Sequence, residues 1–196
     1  MSGLWQPLTV VQVVEVFGDA SFRWWVSGGV ALELHTGHSW RTHDDIDVGI
    51  VRADAPKVHD LVRDWEFCIA SAGVLRRWRG EPLRLDRNEN NLWCRRQGSE
   101  RWAIDITVGE GDEQRWVFRR DASVTVPWGD AVLRGDSGVP YLAPEIQLLF
   151  KSRDPRPKDD LDARMVIPML DERRSGRLGS WLRHDHPWQG LIVRGE

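Results

Sequence analysis

Cysteine is almost missing from this chain of 196 residues, with Cys68 and Cys94 its only two. Neither lies in a close-spaced metal motif, and one potential disulfide would do little to staple a domain of this size. The pair reads as two buried thiols in a reducing compartment. No apolar run approaches the roughly 18 residues that a membrane helix needs. The stretch from Met1 to Asp19 has neither the basic start nor the long apolar core of a secretory signal. These absences lead to the expectation of a cytoplasmic protein without a membrane contact. Charge of one sign is also lacking: 27 basic against 30 acidic residues leave a net charge of −3. That balance carries no strong nucleic-acid signal, although local basic clusters can still hold phosphates. Gly-x-Ser-x-Gly, the Walker Gly-Lys-Ser/Thr and His-Glu-x-x-His do not occur, which removes the common hydrolase, P-loop and zincin chemistries. There is no internal repeat and no low-complexity tract.

What is present is a globular composition, 41% hydrophobic and 29% charged, with twelve tryptophans. Trp24, Trp25, Trp93, Trp102 and Trp116 fall in apolar or alternating runs, where core packing is the plain reading and ligand stacking the alternative. Apolar spacing predicts a helix over 8–17, a strand over 23–26, and a helix following the Gly28-Gly29 turn and stopping near Gly37. A strand over 45–51 and a helix over 56–62 follow. The middle turns β-rich, with strands over 92–96, 102–108 and 115–119. Helices then start at Pro144 and Asp159, the second interrupted by Pro168, and a last one falls around Trp181. Mixed β and α first and helices at the end predict an α+β fold. A catalytic domain over 1–140 would carry a C-terminal helical region over 141–196 packed on it.

The chemistry concentrates early. Ser27-Gly28-Gly29 opens a helix, where backbone N–H groups and the positive end of the dipole suit the phosphates of a nucleotide. A Gly-Gly pair also marks ordinary turns. Asp45 and Asp47, at i and i+2 on a strand, share one face about 7 Å apart, while Ile46 and Val48 turn inward. Adjacent carboxylates repel unless a cation compensates, and Mg²⁺ held by one or two carboxylates plus phosphate oxygens is the natural choice. A solvated acidic strand end is the competing reading. Asp105 is a lone acid in an apolar strand and needs a partner. It either completes a two-metal site, accepts a proton from an attacking hydroxyl, or forms a buried ion pair with an arginine. Arg41 and His43 precede the acidic pair and can touch phosphate or sit in a surface loop. Lys151, ending a helix, can reach phosphate or simply complement the dipole. Lys158, Asp159, Asp160 and Asp162 read as a helix cap, with Lys158 a weaker phosphate candidate. His184 and His186 lack neighbours at metal-ligand spacing and read as structural.

With Gly28-Gly29, Asp45-Ile46-Asp47 and Asp105 in this order, the sequence resembles the DNA polymerase β-type nucleotidyltransferase superfamily. The runs Gly28–Leu32, Arg41–Asp47, Ala143–Ser152 and Lys158–Asp162 most resemble its aminoglycoside 2″- and lincosamide-type adenylyltransferase branch. The resemblance implies a nucleotidyltransferase-type mixed β-sheet flanked by helices. It implies Asp45 and Asp47 as Mg²⁺ ligands, and Asp105 as the acid that bases the acceptor hydroxyl and also binds metal. Ser27, Gly28 and Gly29 would hold the triphosphate, with Arg41 and Lys151. The implied reaction moves a nucleotide, AMP in the simplest case, from an NTP such as ATP to a hydroxyl of a small-molecule acceptor like an aminoglycoside or lincosamide, releasing pyrophosphate. Glu110, Asp112 and Glu113 are followed at once by Arg115, Arg119 and Arg120, so the resemblance bears on the reaction more than on the acceptor. The alternatives are a protein-modifying nucleotidyltransferase of toxin–antitoxin type, a non-catalytic nucleotide-binding module, and a metal-dependent phosphoesterase. No oligomeric state follows from the sequence.

Overall fold

The chain is described by a computed structural model over residues 4–192. Its centre is the alternation Val48, Ile50 on one strand, with Ile46 just ahead of it, and Ile104, Ile106, Val108 on another, all at most 2% exposed. These strands, β2 (Asp47–Val51) and β6 (Ile104–Gly111), run parallel, and β1 (Trp24–Ser27) lies antiparallel on the other side of β2. Period-two alternation sends the apolar set to one face and Trp25, Ser27, Asp47, Gly49, Asp105 and Thr107 to the other. The remaining strands are β3 (Trp65–Ser71), β4 (Val74–Trp78), β5 (Asn91–Arg96), β7 (Arg115–Val117), β8 (Thr125–Pro127), β9 (Val132–Arg134) and β10 (Pro140–Leu142). They extend the sheet in the order β4-β3-β5-β6-β2-β1-β10-β9, with β7 on β6 and β8 on β7. Two pairings are parallel, β2 with β6 and β1 with β10, so the sheet is mixed, as expected.

Helices cover both faces. On the apolar face lie α1 (Val10–Phe17), started by a Thr9–Gln12 capping box, and α3 (Ala55–Leu61). They bury Val13, Phe17, Ala55 and Val58 against the sheet. Between them in sequence, α2 (Gly28–Thr36) leaves β1 and ends at Gly37, whose φ of 73° closes the helix. A short α4 (Trp128–Ala131) precedes the C-terminal helices α5 (Pro144–Lys151), α6 (Pro157–Val166) and α7 (Glu172–Trp181). Leu32 of α2 joins Leu148, Ala163 and Leu178 in a separate apolar cluster, which fixes the C-terminal helices onto α2.

Several boundaries differ from the sequence expectation. Asp45 precedes β2 rather than starting it, and β6 begins at Ile104, not Trp102. The final interruption is a 3₁₀ turn over Ile167–Met169 that absorbs Pro168. The strands β3 and β4 are additional, and the short β8, β9 and β10 carry too few residues to show a period. Among the described residues no helix is long and apolar enough to cross a membrane.

Candidate active site

A cleft of about 390 Å³ opens on the polar face of the sheet, where β1 and β2 meet α5 and the start of α6. Ser27, Gly28, Gly29, Arg41, Asp45, Asp47 and Lys151 all line it. Asp105 stands one strand over, in register with Asp47, 9% exposed and outside the lining itself. The expected site residues are therefore gathered from positions as far apart as 27 and 151.

Gly28 is held at φ +69°, and a Cβ there would run into the Asp47 carboxylate. Its N–H donates to Gln147 Oε1 at 2.9 Å, which ties the turn to α5. Gly28 thus supplies room, while the N–H groups of the turn after it, Gly29 among them, have no carbonyl within their own helix. A Cβ on Gly29 would strike the Arg41 guanidinium and the His43 ring.

The carboxylates are uncompensated. Neither Asp45 nor Asp47 meets a hydrogen-bond donor or ion-pair partner among the described residues. Burial, then the charges of Asp105 and Asp45, push Asp47 up to about 8, and the charges of Lys151 and Lys158 only partly oppose this. Asp105 goes up to about 6, mainly through burial. Its partners are not the arginine of the alternative reading. Asn91 Nδ2 donates to Oδ1 at 3.0 Å and Trp93 Nε1 to Oδ2 at 3.1 Å, both from β5. These two donors fix the carboxylate's orientation.

Opposite the acids lies a network that sequence reading did not anticipate. Asp162, fully buried, accepts from Arg41 Nε and Nη2 at 2.9 and 3.0 Å and from Trp40 Nε1 at 2.9 Å. Lys151 Nζ stands 2.6 Å from Asp159 and 3.1 Å from Asp162. Lys151 is therefore held by carboxylates rather than merely complementing a dipole. Of the expected capping residues, Asp159 does cap α6, accepting from Arg156 N at 3.1 Å, whereas Asp162 lies buried behind Arg41 and Lys151, which line the cleft. His43 completes the loop, with Nε2 3.1 Å from Glu33 and Nδ1 3.1 Å from Arg41 Nη1.

Among the described residues no three His, Cys, Asp or Glu side chains form a closed cage for a metal ion. The donor set still suits Mg²⁺, which takes one or two carboxylates and completes its shell from phosphate and water. Two unpartnered carboxylates beside a glycine turn with free N–H groups form such a half-shell.

The sequence profile of the aminoglycoside-2″-adenylyltransferases matches residues 9–165, which span every site residue described. The chain belongs to this family. A member of it is a nucleotidyltransferase, and the solved structures agree on the fold. The lincosamide antibiotic adenylyltransferase LnuA, solved with lincomycin bound, is 18% identical over 80% of this chain and 95% of its own, with a TM-score of 0.55. ANT(2″)-Ia in complex with adenylyl-2″-tobramycin is 11% identical over 88% and 95%, with a TM-score of 0.55. No curated protein matches the sequence significantly.

Within this adenylyltransferase family member, sequence reading missed Gln147, Asp162, Asn91 and Trp93. Gln147 and Asp162 lie in the two C-terminal runs that carried the resemblance, so that signal was present. Asn91 and Trp93 acquire their role only through the β5–β6 register that sets Trp93 opposite Asp105.

Proposed function

We propose that the protein transfers AMP from Mg-ATP to a hydroxyl of a small molecule of antibiotic type and releases pyrophosphate. The observation that carries this reading is the Asp45–Asp47 pair beside the Gly28-Gly29 turn, without a hydrogen-bond or ion-pair partner among the described residues and within reach of the charges of Lys151 and Lys158. Ser27, Gly28, Gly29, Arg41 and Lys151 make the nucleotide side. Lys151 spends two ammonium protons on Asp159 and Asp162 and keeps one for phosphate. Arg41 directs four of its five N–H groups at Asp162, Thr42 and His43, so it chiefly fixes the wall. Residues 1–140 bring the acids, and the helical region 141–196 brings Gln147, Lys151 and Lys158.

In the transfer, the acceptor oxygen attacks the α-phosphorus in line, and the bond from that phosphorus to the α,β-bridging oxygen breaks. The hydroxyl proton passes to Asp105, whose two β5 donors leave it oriented and mostly ionised at neutral pH. Mg²⁺, held by Asp45 and Asp47 and reached by Asp105, would offset the charge developing on the phosphates. Pyrophosphate departs along the wall of Lys151 and Lys158. The remainder of the catalysis is positioning.

Calorimetry of ATP with and without Mg²⁺ tests the reading. Mg-dependent binding is expected for the wild type and none for Asp45→Asn with Asp47→Asn. Binding that is indifferent to Mg²⁺, or that survives the double substitution, would sink it.

A further inference from the structure

The cleft has two groups of cations, and only one stands near the acids. Lys151 and Lys158 lower Asp47 by their charge, and Arg156 feels both Asp45 and Asp47. These three serve a triphosphate. The other group is Arg119, Arg120 and Arg153, which line the same cleft as Phe150. The Arg119 guanidinium lies 4.8 Å from the centre of the Phe150 ring and that of Arg120 5.6 Å. Arg120 Nη1 also donates to the Phe150 carbonyl at 3.0 Å.

This second group lacks an anion. Among the described residues none of the three arginines has a carboxylate within ion-pair distance. The acid whose charge reaches Arg119 is Glu110, and Arg52 Nε already holds that at 2.6 Å. Burial, then the charges of Arg120 and Arg52, bring Arg119 down to about 10. Asp154 lines the same stretch beside Arg153, exposed, and leaves the group net positive. Phe150, half-buried, is the apolar surface these guanidiniums share, and Trp25, Trp116 and Leu142 lie buried in the same lining. The floor of the cleft is kept open by Gly109, where a Cβ would press on the Trp25 indole at 3.2 Å.

We propose that Arg119, Arg120 and Arg153 bind the acceptor, and that the acceptor is a hydroxylated ring compound bearing an anionic group. The proposal rests on the AMP-transfer reading and narrows its substrate class. A ring packs on the half-buried Phe150 while its anion takes charge-assisted hydrogen bonds from guanidiniums that have no other counter-ion. A polycation would place like charges against all three, which costs affinity. Cations that the nucleotide already uses lie at the acid end, so the second group is left for the second substrate.

A matched pair of probes tests this in the full-length protein saturated with Mg²⁺ and a non-hydrolysable ATP analogue. Para-nitrophenyl glucuronide and para-nitrophenyl glucoside share an aromatic ring and a hydroxylated sugar, and differ by a carboxylate. The glucuronide is expected to bind about tenfold tighter, the worth of one charge-assisted hydrogen bond. That advantage should vanish in Arg119→Gln with Arg153→Gln, and tobramycin should bind more weakly than either glycoside. Arg153→Gln alone, at an exposed position, should remove part of the advantage and keeps the test open if the double variant does not fold. A glucuronide that binds no better than the glucoside, including one that does not bind, overturns the proposal. So does tighter binding of tobramycin, or competition between the glucuronide and Mg-ATP, which would give these arginines to the nucleotide. Failure of the transfer reading shows separately, as wild type without Mg-dependent ATP binding.

Discussion

Asp47 lines the cleft and Asp162 lies buried behind its Arg41 and Lys151, and their surroundings treat a negative charge in opposite ways. Around Asp162, burial is outweighed by Arg41, Lys151 and the Trp40 indole, and the carboxyl is held below its usual range. Asp159 is likewise held down by Arg156 and Lys151 against its burial. Around Asp47 no donor arrives, and burial with two neighbouring acids pushes it up to about 8. A buried charge that serves the fold is compensated by the fold. A buried charge that serves a ligand is left for the ligand to compensate, at the expense of the free protein's stability. The contrast separates positioning acids from reacting ones without reference to any relative.

The largest effect that sharpens this comparison is expected on turnover. Asp47→Asn should cut pyrophosphate release by on the order of 10³-fold or more, since it removes a carboxylate from the charge-stabilising set. The same variant should be at least as resistant to denaturant as the wild type at neutral pH. A variant that loses both activity and stability would place Asp47 with Asp162 and erase the distinction.

Next comes the mirror experiment. Asp162→Ala strands Arg41 and Lys151 beside one another with less counter-charge, and should cost about 3–5 kcal/mol of unfolding free energy. Urea denaturation measures it. A loss below about 1 kcal/mol would mean that the network relaxes into water and that Asp162 is no hub.

The third effect is the pH dependence of stability, measured in chelator. The folded value of Asp47, about 8, lies above its unfolded value of about 3.9. Between those values the folded state keeps a proton that the unfolded chain has lost, so stability should fall as pH rises through the window. The slope from this one group is bounded at roughly 1.4 kcal/mol per pH unit. Asp159 and Asp162 work with the opposite sign: their contribution is present above about pH 4 and is lost on acidification below it. In Asp47→Asn the decline between about pH 4 and pH 8 should flatten, while the acid limb stays. An unchanged decline would assign it to another group.

How much of this was legible in the sequence follows the same division. The acids proposed to react were legible because their chemistry is odd locally: Asp45 and Asp47 repel at i and i+2, and Asp105 interrupts an apolar strand. The Gly28-Gly29 turn was legible for the same reason, and its positive φ agrees. The compensated acids were not, because a carboxylate near a helix start looks like a cap until α6 is set against Arg41, 121 residues away. Lys151 was ambiguous on the same ground. Gly49 passed unnoticed, since its need for room comes from the Trp25 indole of the paired strand. Strands β8, β9 and β10, of three residues each, exist through pairing rather than local propensity.

The smallest expected effect tests whether Asp105 belongs wholly to the reacting set. It differs from Asp47 in having two donors, Asn91 and Trp93, which lower its value, while burial still raises it to about 6. Trp93→Phe deletes one donor and keeps an aromatic ring against Trp5 and Trp102, whose centroids stand 5.1 and 5.7 Å away. Turnover should drop about tenfold, equivalent to one hydrogen bond, with Mg-ATP affinity and denaturation midpoint close to wild type. Unchanged turnover would show that Asn91 alone orients the carboxylate. Lost ATP affinity would show instead that Asp105 acts chiefly with Asp45 and Asp47 on the metal, and that the proton leaves by another group.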